Sequence, residues 1–157
     1  MDFTEGEGVK RLDNEVRIYK GPDSCDRFFD DLLQTAKEHD DDVNCFIKSQ
    51  DVLLQSCGLN NSKNLARLER LNQATRIKCL VSETPTLPLP LPSLQVRTLS
   101  GPWITPISYY VFGNKHAYVM NDEPRSFQFV VFQTIQRSQD YRAHFHALWD
   151  HALPCKI

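Results

Sequence analysis

A chain of 157 residues with 41% hydrophobic and 24% charged side chains has the length and composition of one globular domain with a single core, which excludes wholesale disorder. A formal charge of −2 argues against a dedicated nucleic-acid surface, which carries a basic excess. No segment approaches the roughly 18 apolar residues that cross a membrane, and the polar opening MDFTEGEGVKRLDNE has no signal-peptide core, so the chain is expected in the cytoplasm.

Residues 1–14 read as an N-terminal tail and residues 15–157 as the domain. VRIYKG, Val16 to Gly21, alternates and ends in Gly-Pro, the pattern of a short strand and turn. Asp23 or Ser24 then caps a helix, SCDRFFDDLLQTAKEHD, whose Phe28, Leu32, Leu33 and Ala36 recur at helical spacing. The acidic run Asp40 to Asp42 reads as a solvated turn, and VNCFIKS as a buried strand. Asp51 to Cys57 reads as one or two helical turns, and Asn60 to Ser62 as the start of a second helix along Leu65, Leu68 and Leu71. IKCLVS follows as a strand. Alternating prolines in ETPTLPLPLPSLQ deny a ladder its donors and read as an extended crossing loop.

LQVRTLS gives the next strand and GPWITP a loop. ISYYVF and KHAYVM then flank Gly113-Asn114 as a β-hairpin, followed by the strand SFQFVVFQT. The chain closes with a helix, SQDYRAHFHALWDHAL, carrying Tyr141, Phe145, Leu148, Trp149 and Ala152 at helical intervals. The order predicts an α/β fold, a mixed sheet of about six to seven strands with helices packed on it.

Little in the chain resembles a ready-made reaction centre. The cysteines Cys25, Cys45, Cys57, Cys79 and Cys155 are odd in number and lack C-x-x-C spacing, so free thiols are expected, not zinc ligands. Three histidines, His144, His146 and His151, lie on the terminal helix, but Leu148 stands between His144 and His151 where an adjacent-turn ligand would sit. No metal and no cofactor is expected, and neither G-x-x-x-x-G-K-[ST] nor G-x-G-x-x-G occurs.

Five segments in order, VRIYKGPDSCDRFFDDLLQTAKE, RLNQATRIKCLVSE, QVRTLSGPW, ISYYVFGNKHAYVM and YRAHFHALWDHAL, resemble the phospholipase D-like sensor domain of TrmB-type transcription regulators, from about Glu15 to Leu153. The resemblance implies a phospholipase D-like half domain that binds an effector such as a sugar or phosphorylated metabolite, and pairs as a homodimer. Regulators of this type begin with a winged helix-turn-helix. The residues before Val16 are too few and too acidic to form one, so no direct nucleic-acid binding by this chain is expected.

Catalytic members of the phospholipase D superfamily carry H-x-K-x-x-x-x-D, histidine as nucleophile and lysine on the phosphate oxygens. The residues two places after the five histidines are Asp41, Tyr118, His146, Leu148 and Leu153, and none is lysine. With Lys115 in the lysine place, Gly113 and Met120 occupy the other two. Lys115 thus resembles a relic of a catalytic position, or else a lysine at the edge of a turn facing water, and no enzymatic activity is expected.

Ligand groups are expected at strand ends beside loops. Arg97 suits an anionic group, Trp103 suits a sugar ring, and Lys115 and His116 open the hairpin's return strand with Tyr109 across from them. Packing roles for Trp103 and Tyr109, and a carboxylate partner for Arg97, remain open beside this. Phe145, Leu148 and Trp149 are candidates for a dimer interface, unless they cover the chain's own sheet. The reading favoured is a non-catalytic small-molecule sensor. The alternative is an interaction module without a ligand, and a phosphodiesterase or nuclease comes last.

Overall fold

Successive residues of a strand face opposite ways, so a strand whose every position is buried has cover on both sides. The strand Val43–Ile47 is such a case, since all five of its residues are buried. The computed structural model describes residues 15–47, 69–70, 73, 75–82, 94–99, 108–121 and 127–154. The elements are β1 (Glu15–Tyr19), α1 (Ser24–His39), β2 (Val43–Ile47), β3 (Ile77–Val81), β4 (Leu94–Thr98), β5 (Tyr109–Phe112), β6 (Lys115–Asn121), β7 (Gln128–Gln133), α2 (Ile135–His151) and β8 (Leu153–Pro154).

The eight described strands form one sheet in the order β1-β7-β6-β5-β2-β3-β4-β8. β2, β3 and β4 run parallel, and the other neighbours pair antiparallel. The mixed α/β sheet is as expected, with one strand more than anticipated. The addition is β8, a two-residue pairing of Leu153 and Pro154 with Thr98 and Arg97, too short to carry a period in the sequence. No helix among the described residues is long and apolar enough to cross a membrane.

α1 covers one face. Phe28, Phe29, Leu32 and Ala36 pack with Cys45, Ile47, Cys79, Tyr110, Phe112, Phe129 and Val131, and the Phe28 ring stacks on Phe129 at 4.1 Å. α2 covers the other face through Phe145, Leu148 and Trp149, which meet Phe46, Leu80, Tyr109 and Val111. The acidic run closes α1: Asp40 is left-handed (φ 52°) and its N–H bonds the Ala36 carbonyl.

The hairpin turn is fixed by one glycine. Gly113 takes φ +56°, and a Cβ there would lie 2.8 Å from Thr35 Cγ2 and His39 Nδ1 of α1. Backbone freedom and the close approach both require glycine here. The expected helices over 51–57 and from 60 onward lie outside the described residues apart from Glu69, Arg70 and Gln73, which are helical, and Thr75 and Arg76, which are not. Most of the proline-rich loop and the whole of GPWITP also lie outside them.

Candidate functional site

Lys115 and His116 are neighbours on β6 and therefore point to opposite faces of the sheet. Lys115 faces α1. Its Nζ lies 2.6 Å from Asp31 Oδ1, with the two side chains 13% and 6% exposed. Asp31 also accepts hydrogen bonds from Tyr19 Oη (2.8 Å) and Thr35 Oγ1 (3.2 Å). Lys115 therefore does not point to water but is paired with a carboxylate of its own chain.

His116 faces α2. It lies opposite Val111 on β5 and Phe132 on β7, stacks on Phe132 at 5.2 Å and tilts against Tyr141 at 4.9 Å. Its Nδ1 is 3.1 Å from Ser138 Oγ in the first turn of α2. Burial, reinforced by the nearby charge of Arg137, pushes its pKa down to about 4, so the imidazole is neutral at physiological pH.

Three tyrosines adjoin it. Tyr109 and Tyr118 are cross-strand partners, and the hydroxyls of Tyr118 and Tyr141 are hydrogen-bonded to each other. Tyr109 and Tyr141 rings lie 5.6 Å apart. The Tyr109 hydroxyl is buried without a hydrogen-bond partner, and burial pushes its pKa up. On the outer side of Tyr141, α2 borders a depression of about 310 Å³ whose described lining is Arg137, Asp140, Tyr141 and His144. These four recur at i, i+3, i+4 and i+7, one stripe of the helix.

Of the four expected ligand residues that are described, the structure brings together Tyr109 and His116. Arg97 is on the same face but three strands from Tyr109. Its Nη1 donates to the Trp149 carbonyl (2.8 Å) and its guanidinium lies 4.3 Å from the Trp149 ring centroid. It thus caps the C-terminal turn of α2, whose carbonyls lack helical partners. Trp103 lies outside the described residues. Phe145, Leu148 and Trp149 are buried against the chain's own sheet, the second of the two roles open to them.

The sequence reading passed over Tyr118, Tyr141, Ser138 and Arg137. His144 was weighed only as a metal ligand and Arg137 not at all, and only the pairing of β5 with β6 and the seating of α2 bring Tyr118 and Tyr141 to one point. A second surface also emerges. Val16 and Ile18 on β1 and Met120 on β6 are 52%, 57% and 57% exposed. The register with Phe132 and Val130 puts both β1 residues on the α2 side of the sheet.

No protein-family model matches the chain, and no curated protein does. Solved structures do. NucT from Helicobacter pylori superposes with a TM-score of 0.60 at 6% identity, over 90% of this chain and 99% of NucT. Nuc from Salmonella typhimurium, a phospholipase D family member, gives 0.57 at 12% identity, over 92% and 99%. TrmBL2, an archaeal chromatin protein with a novel mode of DNA binding, gives 0.59 at 9% identity, over 98% of this chain but 57% of TrmBL2. The chain therefore has the phospholipase D-like fold and spans little more than half the length of TrmBL2.

Proposed function

We propose that this domain is a non-catalytic sensor that binds a small ligand on its α2 side. The observation that supports it is the divergence of Lys115 and His116. The hairpin's lysine is held by Asp31 beneath α1, while its histidine is buried beside Ser138 and Tyr141 under α2. A nucleophile and a phosphate-neutralising cation must converge on one phosphorus atom, and these two are separated by the sheet. What the α2 side offers instead is an aromatic wall, a buried tyrosine hydroxyl without a partner and an adjoining depression, the ingredients of a binding site.

A thermal-shift screen against sugars, sugar phosphates, nucleotides and amino acids tests this. A ligand at 100 times its Kd stabilises by about 2.7 kcal/mol. The shift is expected to vanish in Tyr141→Ala and to survive Lys115→Met. A flat screen would instead favour an interaction module. That second reading has its own support in the exposed Val16, Ile18 and Met120, a patch of the sort that partners cover. A second copy of this chain is the partner to test first, by light scattering of the wild type and of Ile18→Lys.

A further inference from the structure

The stripe on α2 has an unusual charge arrangement. Arg137 and Asp140 are three residues apart, a spacing at which opposite charges ordinarily pair along a helix. Here they do not. Asp140 Oδ1 accepts from Gln136 Nε2 at 3.2 Å, and among the described residues no carboxylate lies within ion-pair reach of Arg137. Both line the depression, together with the half-buried Tyr141 and with His144, one turn beyond Asp140.

We propose that this depression binds a small zwitterion of the α-amino-acid class, its carboxylate on Arg137 and its ammonium on Asp140. The assignment rests on the binding-domain reading above and narrows its ligand. The guanidinium supplies a forked donor for a carboxylate. Asp140 keeps acceptor capacity beyond its one bond to Gln136. Tyr141 spends its hydroxyl on Tyr118, so its ring is what remains for the ligand's carbon atoms, and His144 adds a donor or acceptor at the far end. A sugar phosphate fits less well, because its dianion on Arg137 would stand beside the Asp140 carboxylate. A neutral sugar would leave both charges uncompensated. The volume of about 310 Å³ is at the small end of the roughly 300–1,000 Å³ of ligand sites, the scale of one amino acid.

The test is amide-shift mapping on the ¹⁵N-labelled full chain. The twenty amino acids are added in pools and then singly, with glucose and glucose 6-phosphate as counter-probes. For the amino acid that binds, its N-acetyl and its amide derivatives follow. Shifts confined to residues 137–144 and their β6 neighbours are expected. Removing either charge from the ligand, or introducing Arg137→Gln or Asp140→Asn, should weaken binding roughly tenfold or more. All four lining side chains are at the surface or half-buried, so dispersed spectra should show that the variants fold. Binding only by glucose 6-phosphate, or by an amino acid at other amides, overturns the zwitterion assignment and leaves the sensor reading standing. Silence across the panel overturns the zwitterion assignment, and the sensor reading then stands or falls on the wider thermal-shift screen.

Discussion

Lys115 and Asp31 meet at 2.6 Å, and through them the β5–β6 hairpin is tied to α1 across 84 residues of chain. The lysine at the start of the return strand is a structural tie, fixed by a carboxylate that two further hydroxyl groups also bond.

Removing one member of a buried pair strands the other in a poor dielectric. Lys115→Met is therefore expected to cost about 3 kcal/mol, the lower end for such losses because Tyr19 and Thr35 still bond Asp31. Adding Asp31→Asn should restore at least half of that. Urea unfolding of the three proteins checks it, and a loss below about 1 kcal/mol, the scale of an exposed pair, would count against the tie.

His116 gives the fold an acid-sensitive point. Its pKa is about 4 in the folded state and near 6.5 unfolded, so the unfolded chain binds its proton first as pH falls. The stability that comes from keeping the ring neutral is complete above about pH 6.5 and is lost progressively toward pH 4, on the order of 2–3 kcal/mol. His116→Phe should flatten this part of the stability–pH curve. Denaturation midpoints at several pH values between 4 and 7.5 decide the matter.

Asn44 is fully buried on β2, and neither of its amide atoms has a hydrogen-bond partner. Its cross-strand neighbours are Lys78 and Val111. Replacing it with the similarly shaped apolar side chain in Asn44→Leu should stabilise by about 1–2 kcal/mol. That corresponds to a rise of roughly 2–8 °C in Tm for a chain of this size. An unchanged or lowered Tm would mean that the amide is in use.

Arg97 bonds the Trp149 carbonyl and covers the indole ring. Arg97→Ala is expected to lose about 1.5–3 kcal/mol, the range for a charge-assisted bond. Arg97→Lys should recover little, since a lysine cannot both lie flat on the indole and reach the carbonyl. Tryptophan fluorescence followed through unfolding reads both variants.

The sheet was legible because its strands are short apolar runs and its turns carry Gly113 and Gly21, and the fold class followed from their order. β8 was not, since two residues have no periodicity. At the candidate site, His116 and Tyr109 were legible as residues opening and facing a hairpin. Their separation from Lys115 was equally implicit in strand alternation, yet only the packing shows which face each helix covers. Arg97's contact with the end of α2 was not legible, because a free guanidinium and one that caps a distant helix look alike in sequence. Tyr141 was legible only as part of the helix's apolar period, His144 only as a histidine without a ligand spacing, and Arg137 not at all, because a depression beside a helix has no signature along the chain.

A phospholipase D-like fold that binds without cleaving, as proposed, should leave phosphodiesters intact. Bis-p-nitrophenyl phosphate and single-stranded DNA would each be incubated with excess wild-type protein, with EDTA and with Mg²⁺, beside Lys115→Met and His116→Phe. Release no faster than in buffer is expected for all three proteins. Turnover by the wild type that is lost in Lys115→Met, with the fold intact by circular dichroism, would contradict it.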